Sequence, residues 1–169
     1  LRTCGAAYVV FGRGAGGDFT DIFLSSFSGI TYYGPQPTSG LFGNAVRGAG
    51  DINHDGYADI VVGDPTGNGG AGTLTTGAAY VMYGSAGLST SSPTVIDLLT
   101  SPFSGFRLIG AVVRDNFGGA VSGIGDVNGD GIDDLAVAAT SGTAGAVAGA
   151  GVTYIVYGKV GGFNDIYMS

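Results

Sequence analysis

Two nine-residue segments contain the residues whose types and spacing could do chemistry. Both follow the pattern Asp-x-Asn-x-Asp-Gly-x-x-Asp, at residues 51–59 and 126–134. Oxygen-bearing side chains at positions 1, 3 and 5 of a tight turn converge on one point, and glycine at position 6 permits the sharp bend. Because Ca²⁺ takes about six to eight oxygen ligands, the pattern predicts two calcium sites.

The expected ligands are equivalent in the two segments: side-chain oxygens at positions 1, 3, 5 and 9, and the backbone carbonyl at position 7. In the first loop these are Asp51, Asn53, Asp55, Asp59 and, at position 7, Tyr57. In the second loop they are Asp126, Asn128, Asp130, Asp134 and, at position 7, Ile132. Asp, Asn and Gly also form ordinary turns. A plain turn, however, has no need of three carboxylates whose mutual repulsion only a cation relieves.

Other chemistry is poorly supported by the same residues. Position 12 is Val62 or Val137, where an EF-hand loop needs Glu, and no helical pattern flanks either loop. The chain has one His (His54), one Cys (Cys4) and no Glu. A nucleophile and its base would have to be assembled around His54, which belongs to the first loop. We therefore expect no enzymatic activity in this segment.

An internal repeat positions the loops. The strand GAAYVVFG at 5–12 recurs as GAAYVMYG at 77–84 and as GVTYIVYG at 151–158, and Asp51 recurs as Asp126, 75 positions later. Each unit reads as this aromatic strand, a strand ending in FSG, a strand opening with Phe-Gly, the acidic loop and a short apolar strand (60–62, 135–137). Four short strands per unit, with Gly-rich turns and no helical period, predict β-propeller blades.

Composition agrees with this interpretation and limits the partners. The chain has 35 Gly, nine Tyr and nine Phe, and only 11% charged residues, which favours turns and strands over long helices. Its net charge is −7, and most of the acidic residues lie in the two loops. An acidic chain of this kind disfavours a nucleic-acid partner. The apolar stretches are far shorter than the roughly 20 residues of a membrane helix, so no membrane insertion is expected.

The order of these motifs resembles the FG-GAP repeat of integrin α-subunit propellers. The resemblance rests on Phe42-Gly43, Phe117-Gly118, the two acidic loops, and Gly63-Asp64-Pro65 where the family has Gly-Ala-Pro. In the second repeat Ala138-Ala139-Thr140 replaces that tripeptide. The resemblance covers nearly the whole chain and implies a calcium-binding propeller, extracellular or at the cell surface, with protein partners.

The expected fold is all-β, with propeller blades of four-stranded antiparallel sheets. The chain would supply about two blades plus partial ones, incomplete as a ring. Residues 1–34 would be the end strands of a partial repeat, 35–110 the first full repeat, and 111–169 the second repeat and the start of the next strand. A closed ring needs at least about four blades, so we do not expect a free, closed monomer.

Three functions are compatible with this sequence. The first is a calcium-stabilised module for extracellular adhesion or recognition. The second is the protomer of a self-assembling extracellular fibre or surface lattice, because DIYMS at 165–169 matches the DIFLS that starts at Asp21. The third is an accessory propeller of a larger enzyme. The partner would be further blades, copies of the chain, or a cell-surface or matrix ligand.

Overall fold

Eleven β-strands and no helix form the described part of the chain. The structure is a computed structural model that describes residues 4–12, 27, 29–35, 40–67, 75–88, 94–144 and 146–168. These residues include no helix long and apolar enough to cross a membrane. The predicted all-β class is confirmed. In chain order the strands are β1 (Ala6–Val10), β2 (Gly29–Tyr33), β3 (Ala45–Gly50), β4 (Asp59–Asp64), β5 (Ala78–Met82), β6 (Thr94–Asp97), β7 (Gly105–Ile109), β8 (Phe117–Gly125), β9 (Asp134–Ala139), β10 (Val152–Val156) and β11 (Ile166–Tyr167).

The strands are arranged in three sheets. The first contains β1, β2 and β6, and the third contains β8, β9 and β10. The second contains β3, β4, β5 and β7 as consecutive antiparallel neighbours, with β11 at its outer edge. This sheet confirms the predicted four-stranded antiparallel blade. Within the described residues the sheets do not close into a ring, so they are consistent with partial propeller blades.

A short parallel strand joins each of the first two sheets to the repeat that follows it. β6 pairs in parallel with β2 of the first sheet, and β11 pairs in parallel with β7 of the second. Both added strands come soon after the aromatic strand of the next repeat, which is β5 or β10. One repeat of the sequence therefore contributes strands to two neighbouring sheets.

The FSG motif begins a strand, and the prediction that it ends one is wrong. β2 starts at Gly29 and β7 at Gly105, which are the glycines of the two motifs. Gly105 has a φ of +146°, and a Cβ there would lie 1.9 Å from the carbonyl oxygen of Val81 on β5. Since only glycine tolerates this approach, the motif marks the point where the outer strand joins the sheet.

The second sheet is buried on both of its faces. One core cluster, which includes Val81 and Leu135, lies between the second and third sheets. The other, which includes Ile30 and Tyr80, lies between the first and second sheets. All residues of β5 are buried, whereas the equivalent strands β1 and β10 are only partly buried. The neighbouring sheets therefore decide the burial of this recurring strand.

The second Phe-Gly pair lies where two sheets meet. The Phe117 ring is buried and packs edge-on against Tyr154 of its own sheet, with ring centroids 5.6 Å apart. Gly118 has a φ of +81°, and a Cβ there would lie 2.1 Å from the carbonyl oxygen of Ala78 in the preceding sheet. Phe117 therefore packs its ring within the third sheet, and Gly118, which has no side chain, lets the backbone approach the second sheet closely.

Tyr80 and Tyr83 should respond in opposite directions to the loss of their hydroxyl groups. The Tyr80 hydroxyl is buried and has no hydrogen-bond partner among the described residues. The Tyr83 hydroxyl oxygen accepts a hydrogen bond from the Phe163 backbone N–H at 2.9 Å. An unpaired buried hydroxyl costs free energy, so we expect Tyr80→Phe to raise the free energy of unfolding by about 1 kcal/mol. Tyr83→Phe should lower it by about as much, because the Phe163 amide loses its acceptor.

Urea unfolding of these matched variants measures both changes. Equal losses of stability in the two variants would mean that the Tyr80 hydroxyl is hydrogen-bonded in solution.

An ion pair fixes β11 to β7 and should make their pairing sensitive to pH. The Asp165 carboxylate accepts hydrogen bonds from the Arg107 backbone N–H at 2.9 Å and from its guanidinium Nε at 3.1 Å. The Arg107 guanidinium holds the pKa of Asp165 below its ordinary value of 3.8. We expect Asp165→Asn to lower the free energy of unfolding at neutral pH by about 1 kcal/mol, since partial exposure screens the pair.

The folded chain releases the Asp165 proton more readily than the unfolded chain does. The ionised pair therefore contributes stability above pH 3.8, and this contribution is lost as the pH falls through the lower pKa of the folded state. Denaturant midpoints of wild type and Asp165→Asn should differ at neutral pH and converge in acid. A difference that stays constant into acid would contradict this role of the pair.

Candidate calcium sites in two acidic loops

Each acidic loop connects two neighbouring antiparallel strands. The first loop joins β3 to β4, and the second joins β8 to β9. In both hairpins the pairing register shifts just before the loop, between Gly48 and Gly50 and between Gly123 and Gly125. Such an irregularity bends the strand and redirects the chain. The two loops therefore leave their sheets in the same way.

In the first loop the side chains at positions 1, 3 and 5 surround the turn at residues 55–57. The Asp51 carboxylate accepts hydrogen bonds from the backbone N–H groups of Asp55 and Gly56, both at 2.9 Å. Asn53 Oδ1 accepts from Asp55 N at 3.1 Å, and Asn53 Nδ2 donates to Asp55 Oδ2 at 2.9 Å. Asp55 Oδ1 accepts from Tyr57 N at 2.9 Å. The structure thus brings Asp51, Asn53 and Asp55 together.

The second loop repeats this network. Asp126 Oδ1 accepts from Asp130 N at 3.1 Å, and its Oδ2 accepts from Gly131 N at 2.8 Å. Asn128 Nδ2 donates to Asp130 Oδ2, and Asp130 Oδ1 accepts from Ile132 N, both at 2.9 Å. Backbone N–H groups, that of Gly131 above all, hold the pKa of Asp126 below its ordinary value. Two segments with one sequence pattern therefore adopt one hydrogen-bonding pattern.

The carboxylate at position 9 lies beneath each loop and accepts one hydrogen bond on each of its oxygens. Asp59 Oδ2 accepts from Ile52 N at 3.0 Å, and its Oδ1 accepts from Gly84 N, just after β5, at 2.8 Å. Burial raises the pKa of Asp59 to about 6, although these two amide hydrogen bonds oppose the shift. Asp134 makes the equivalent bonds to Val127 N at 2.9 Å and Gly158 N at 2.8 Å. Position 9 thus ties the loop to the third strand of its sheet.

The donor set fits a calcium ion by its chemistry, because every expected ligand atom is an oxygen. In the described residues, however, no three or more His, Cys, Asp or Glu side chains are grouped closely enough to hold a metal ion. Both oxygens of position 9 bind backbone amides, and the position 3 amide nitrogen contacts the position 5 carboxylate. The carbonyl ligands expected from Tyr57 and Ile132 stay a prediction.

The first loop is covered by the following repeat. The backbone N–H groups of Lys159 and Gly161, beyond β10, donate to the carbonyl oxygens of Ile52 and Asn53 at 3.1 and 2.9 Å. Ile52 is 0% exposed, whereas the equivalent Val127 of the second loop is 55% exposed. The two loops therefore share their internal geometry but differ in their surroundings.

Asp133 lies outside the ligand pattern that the sequence predicts, but it contacts the first loop. Its Oδ2 accepts a hydrogen bond from the backbone N–H of Asp51 at 2.8 Å. Asp133 occupies position 8 of the second loop, where the first loop has Ala58. This difference between two otherwise matching loops was visible in the sequence, but the contact itself depends on how the sheets are stacked.

Comparison with known proteins identifies the repeats. The FG-GAP repeat family matches residues 42–82 and 117–156. Both matches run from the Phe-Gly pair through the acidic loop to the aromatic strand, so each includes one complete candidate site.

Similar proteins include integrin α chains and one enzyme. Integrin alpha pat-2 of Caenorhabditis elegans is 39% identical over 100 residues, which are 59% of this chain and 7% of the relative. Integrin alpha-E of Mus musculus is 36% identical over 104 residues, 61% of this chain and 8% of the relative. Phosphatidylinositol-glycan-specific phospholipase D of Rattus norvegicus is 36% identical over 118 residues, 68% of this chain and 13% of the relative. The chain thus spans about a tenth of the length of these relatives, and it contains two FG-GAP repeats.

Proposed function

We propose that the chain is a calcium-stabilised FG-GAP β-propeller module for extracellular adhesion or recognition. The observation that carries the proposal is the acidic loop, which occurs in both matched repeats with the same hydrogen bonds. Relatives named as integrin α chains support a protein partner and a location outside the cell or at its surface. The repeat boundaries that we propose are 1–34, 35–110 and 111–169.

Each loop holds one Ca²⁺ through its oxygen atoms. The ligands are the side chains at positions 1, 3, 5 and 9 and the carbonyl of Tyr57 or Ile132. A bound ion supplies the positive charge that relieves repulsion between the carboxylates, which the backbone amides offset only in part. The bound ion rigidifies the hairpin loop between β3 and β4 or between β8 and β9. Surface loops of this kind can contact a partner.

A second candidate function is the accessory propeller of a larger enzyme. The relative named as a phospholipase D supports this candidate. The reaction would then belong to a catalytic region elsewhere, and this segment would remain non-catalytic. Activity that survives purification of the segment and disappears with His54→Ala would contradict the non-catalytic assignment.

A third candidate is the protomer of a self-assembling fibre or surface lattice. No described strand pairs with the outer edge of β10, which ends the third sheet. Ile155 and Tyr157, on and just after this strand, are 46% and 55% exposed. An unpaired edge with exposed apolar side chains readily pairs with another chain. In this candidate a strand of another chain pairs with β10.

Calcium titration tests the principal proposal. We expect two ions to bind per chain, with a dissociation constant of roughly 10⁻⁴ to 10⁻³ M. Asp55→Ala and Asp130→Ala should each remove one site and reduce the stoichiometry to one ion per chain, because each deletes the position 5 ligand of one loop. Asp115→Ala, which removes a carboxylate outside both loops, is the matched control and should retain both sites. Isothermal titration calorimetry measures the stoichiometry.

Calcium should also raise the melting temperature, since it binds the folded chain. At a concentration of 100 times the dissociation constant the gain is about 2.7 kcal/mol per site. A melting temperature that does not respond to chelator, together with no heat of binding, would refute the proposal.

Sedimentation analysis tests the assembly candidate. If β10 pairs between chains, the protein should sediment as a species larger than its 16.6 kDa monomer. Ile155→Lys should shift it toward the monomer, because a charge on an edge strand opposes pairing. Val112→Lys is the matched control, as Val112 is similarly exposed, at 53%, but lies outside the strands. Equal behaviour of the two variants would rule out the β10 edge as the interface.

A further inference from the structure

A carboxylate of the second loop is hydrogen-bonded to the first residue of the first loop. Asp133 Oδ2 accepts from the Asp51 backbone N–H at 2.8 Å. The Asp51 side chain accepts in turn from the amides of Asp55 and Gly56 at the turn of the loop. Asp133 therefore fixes the backbone of the residue whose carboxylate organises the first candidate site.

The backbone of the first loop is shaped to receive this side chain. Gly50 has a φ of +72°, and a Cβ there would lie 2.2 Å from Asp133 Oδ2 and 2.5 Å from its Cγ. Any other residue at position 50 would therefore displace the carboxylate. The equivalent Gly125 has nearly the same φ, +70°, but no described atom lies within 4 Å of the corresponding Cβ position. Within the described residues this contact is made by the first loop alone.

A second connection runs from the second loop to the first through the backbone. Asp134, next to Asp133, accepts from Gly158 N at 2.8 Å. The residues that follow Gly158 donate to the carbonyl oxygens of Ile52 and Asn53. Both connections begin at adjacent residues at the end of the second loop, so ordering of that end is transmitted to the first loop by two routes.

We propose that Asp133 couples the two calcium sites: ion binding in the second loop fixes residues 133–134, and the Asp133 carboxylate then holds Asp51 in position for the first ion. This inference rests on the proposed calcium function. The carboxylate also places one more negative charge beside the first loop, which adds to its attraction for a cation. Asp133 is a positioning residue for the first site and no ligand of either ion.

Coupling free energy is reciprocal, which gives the proposal a quantitative form. An ion in the second loop should strengthen binding in the first loop, and an ion in the first should strengthen binding in the second by the same factor. Removal of Asp133 should weaken the first site about tenfold, the size expected for one lost hydrogen bond to a charged group. The intrinsic affinity of the second loop, measured with the first site removed, should stay unchanged.

The experiment is a calcium titration of a variant set in the whole chain. Asp133→Ala gives the second loop the residue found at position 8 of the first, and Asp133→Asn keeps an acceptor but removes the charge. Asp130→Ala removes the second ion, and the double variant Asp130→Ala/Asp133→Ala completes the cycle. Ala58→Ser, at position 8 of the first loop, is the matched control. Hydrogen exchange of the Asp51 amide, measured without calcium, is the readout of positioning.

We expect Asp130→Ala to weaken the first site when Asp133 is present and to weaken it less in Asp133→Ala, where only the backbone connection through Gly158 remains. Asp133→Ala should also speed exchange of the Asp51 amide. Asp133→Asn should retain part of the protection of this amide, because the Asn side-chain oxygen can still accept its hydrogen bond. Ala58→Ser should leave affinities and exchange unchanged.

Two results would overturn the coupling, and they differ in what else they overturn. If both ions bind but Asp133→Ala leaves the first site unchanged, the coupling is wrong and the proposed calcium function stands. If no variant and no wild-type protein takes up calcium, the proposed function and the coupling fail together. Amide exchange of Asp51 still reports, in that case, whether Asp133 holds the first loop.

Discussion

Both acidic loops depend on a carboxylate that is almost completely buried. Asp59 and Asp134 lie beneath their loops, and removing a carboxylate from water is costly unless hydrogen bonds replace the water. Each uses its two oxygens on two backbone N–H groups, one at the start of the loop and one after the third strand. The loop, the second strand and the third strand are therefore held as one unit. The spacing of the pattern follows, because position 9 must be the first residue of β4 or β9.

The sequence predicted those parts of the fold in which the residue types are determined by short-range contacts of the backbone. The recurring aromatic strands became β1, β5 and β10, and the apolar segments after the loops became β4 and β9. The grouping of side chains at positions 1, 3 and 5 also follows from local turn chemistry. In each case the deciding contacts lie within a few residues or between adjacent strands.

The features that were not predicted depend on how the sheets stack. β6 and β11 are short and have no alternation of their own, and they form strands because β2 and β7 offer an edge. The prediction that the FSG motif ends a strand was wrong because its glycine is needed where the backbone of Val81, on the neighbouring strand, comes close. The reach of Asp133 to the first loop is of the same kind. In repeat proteins much of the stability lies in such interfaces between units. The sequence of a single repeat does not predict which residues meet there.

The parallel strands β6 and β11 place the boundary of a sheet at a different point from the boundary of a repeat. A tandem duplication or deletion with its breakpoints at the sheet boundaries would separate β2 or β7 from the parallel strand that the next repeat contributes. Removal or addition of one whole period of about 75 residues inside a longer array would put an equivalent strand in the place of the displaced one and preserve such pairings. The length of an inherited rearrangement therefore decides whether these outer strands keep a partner.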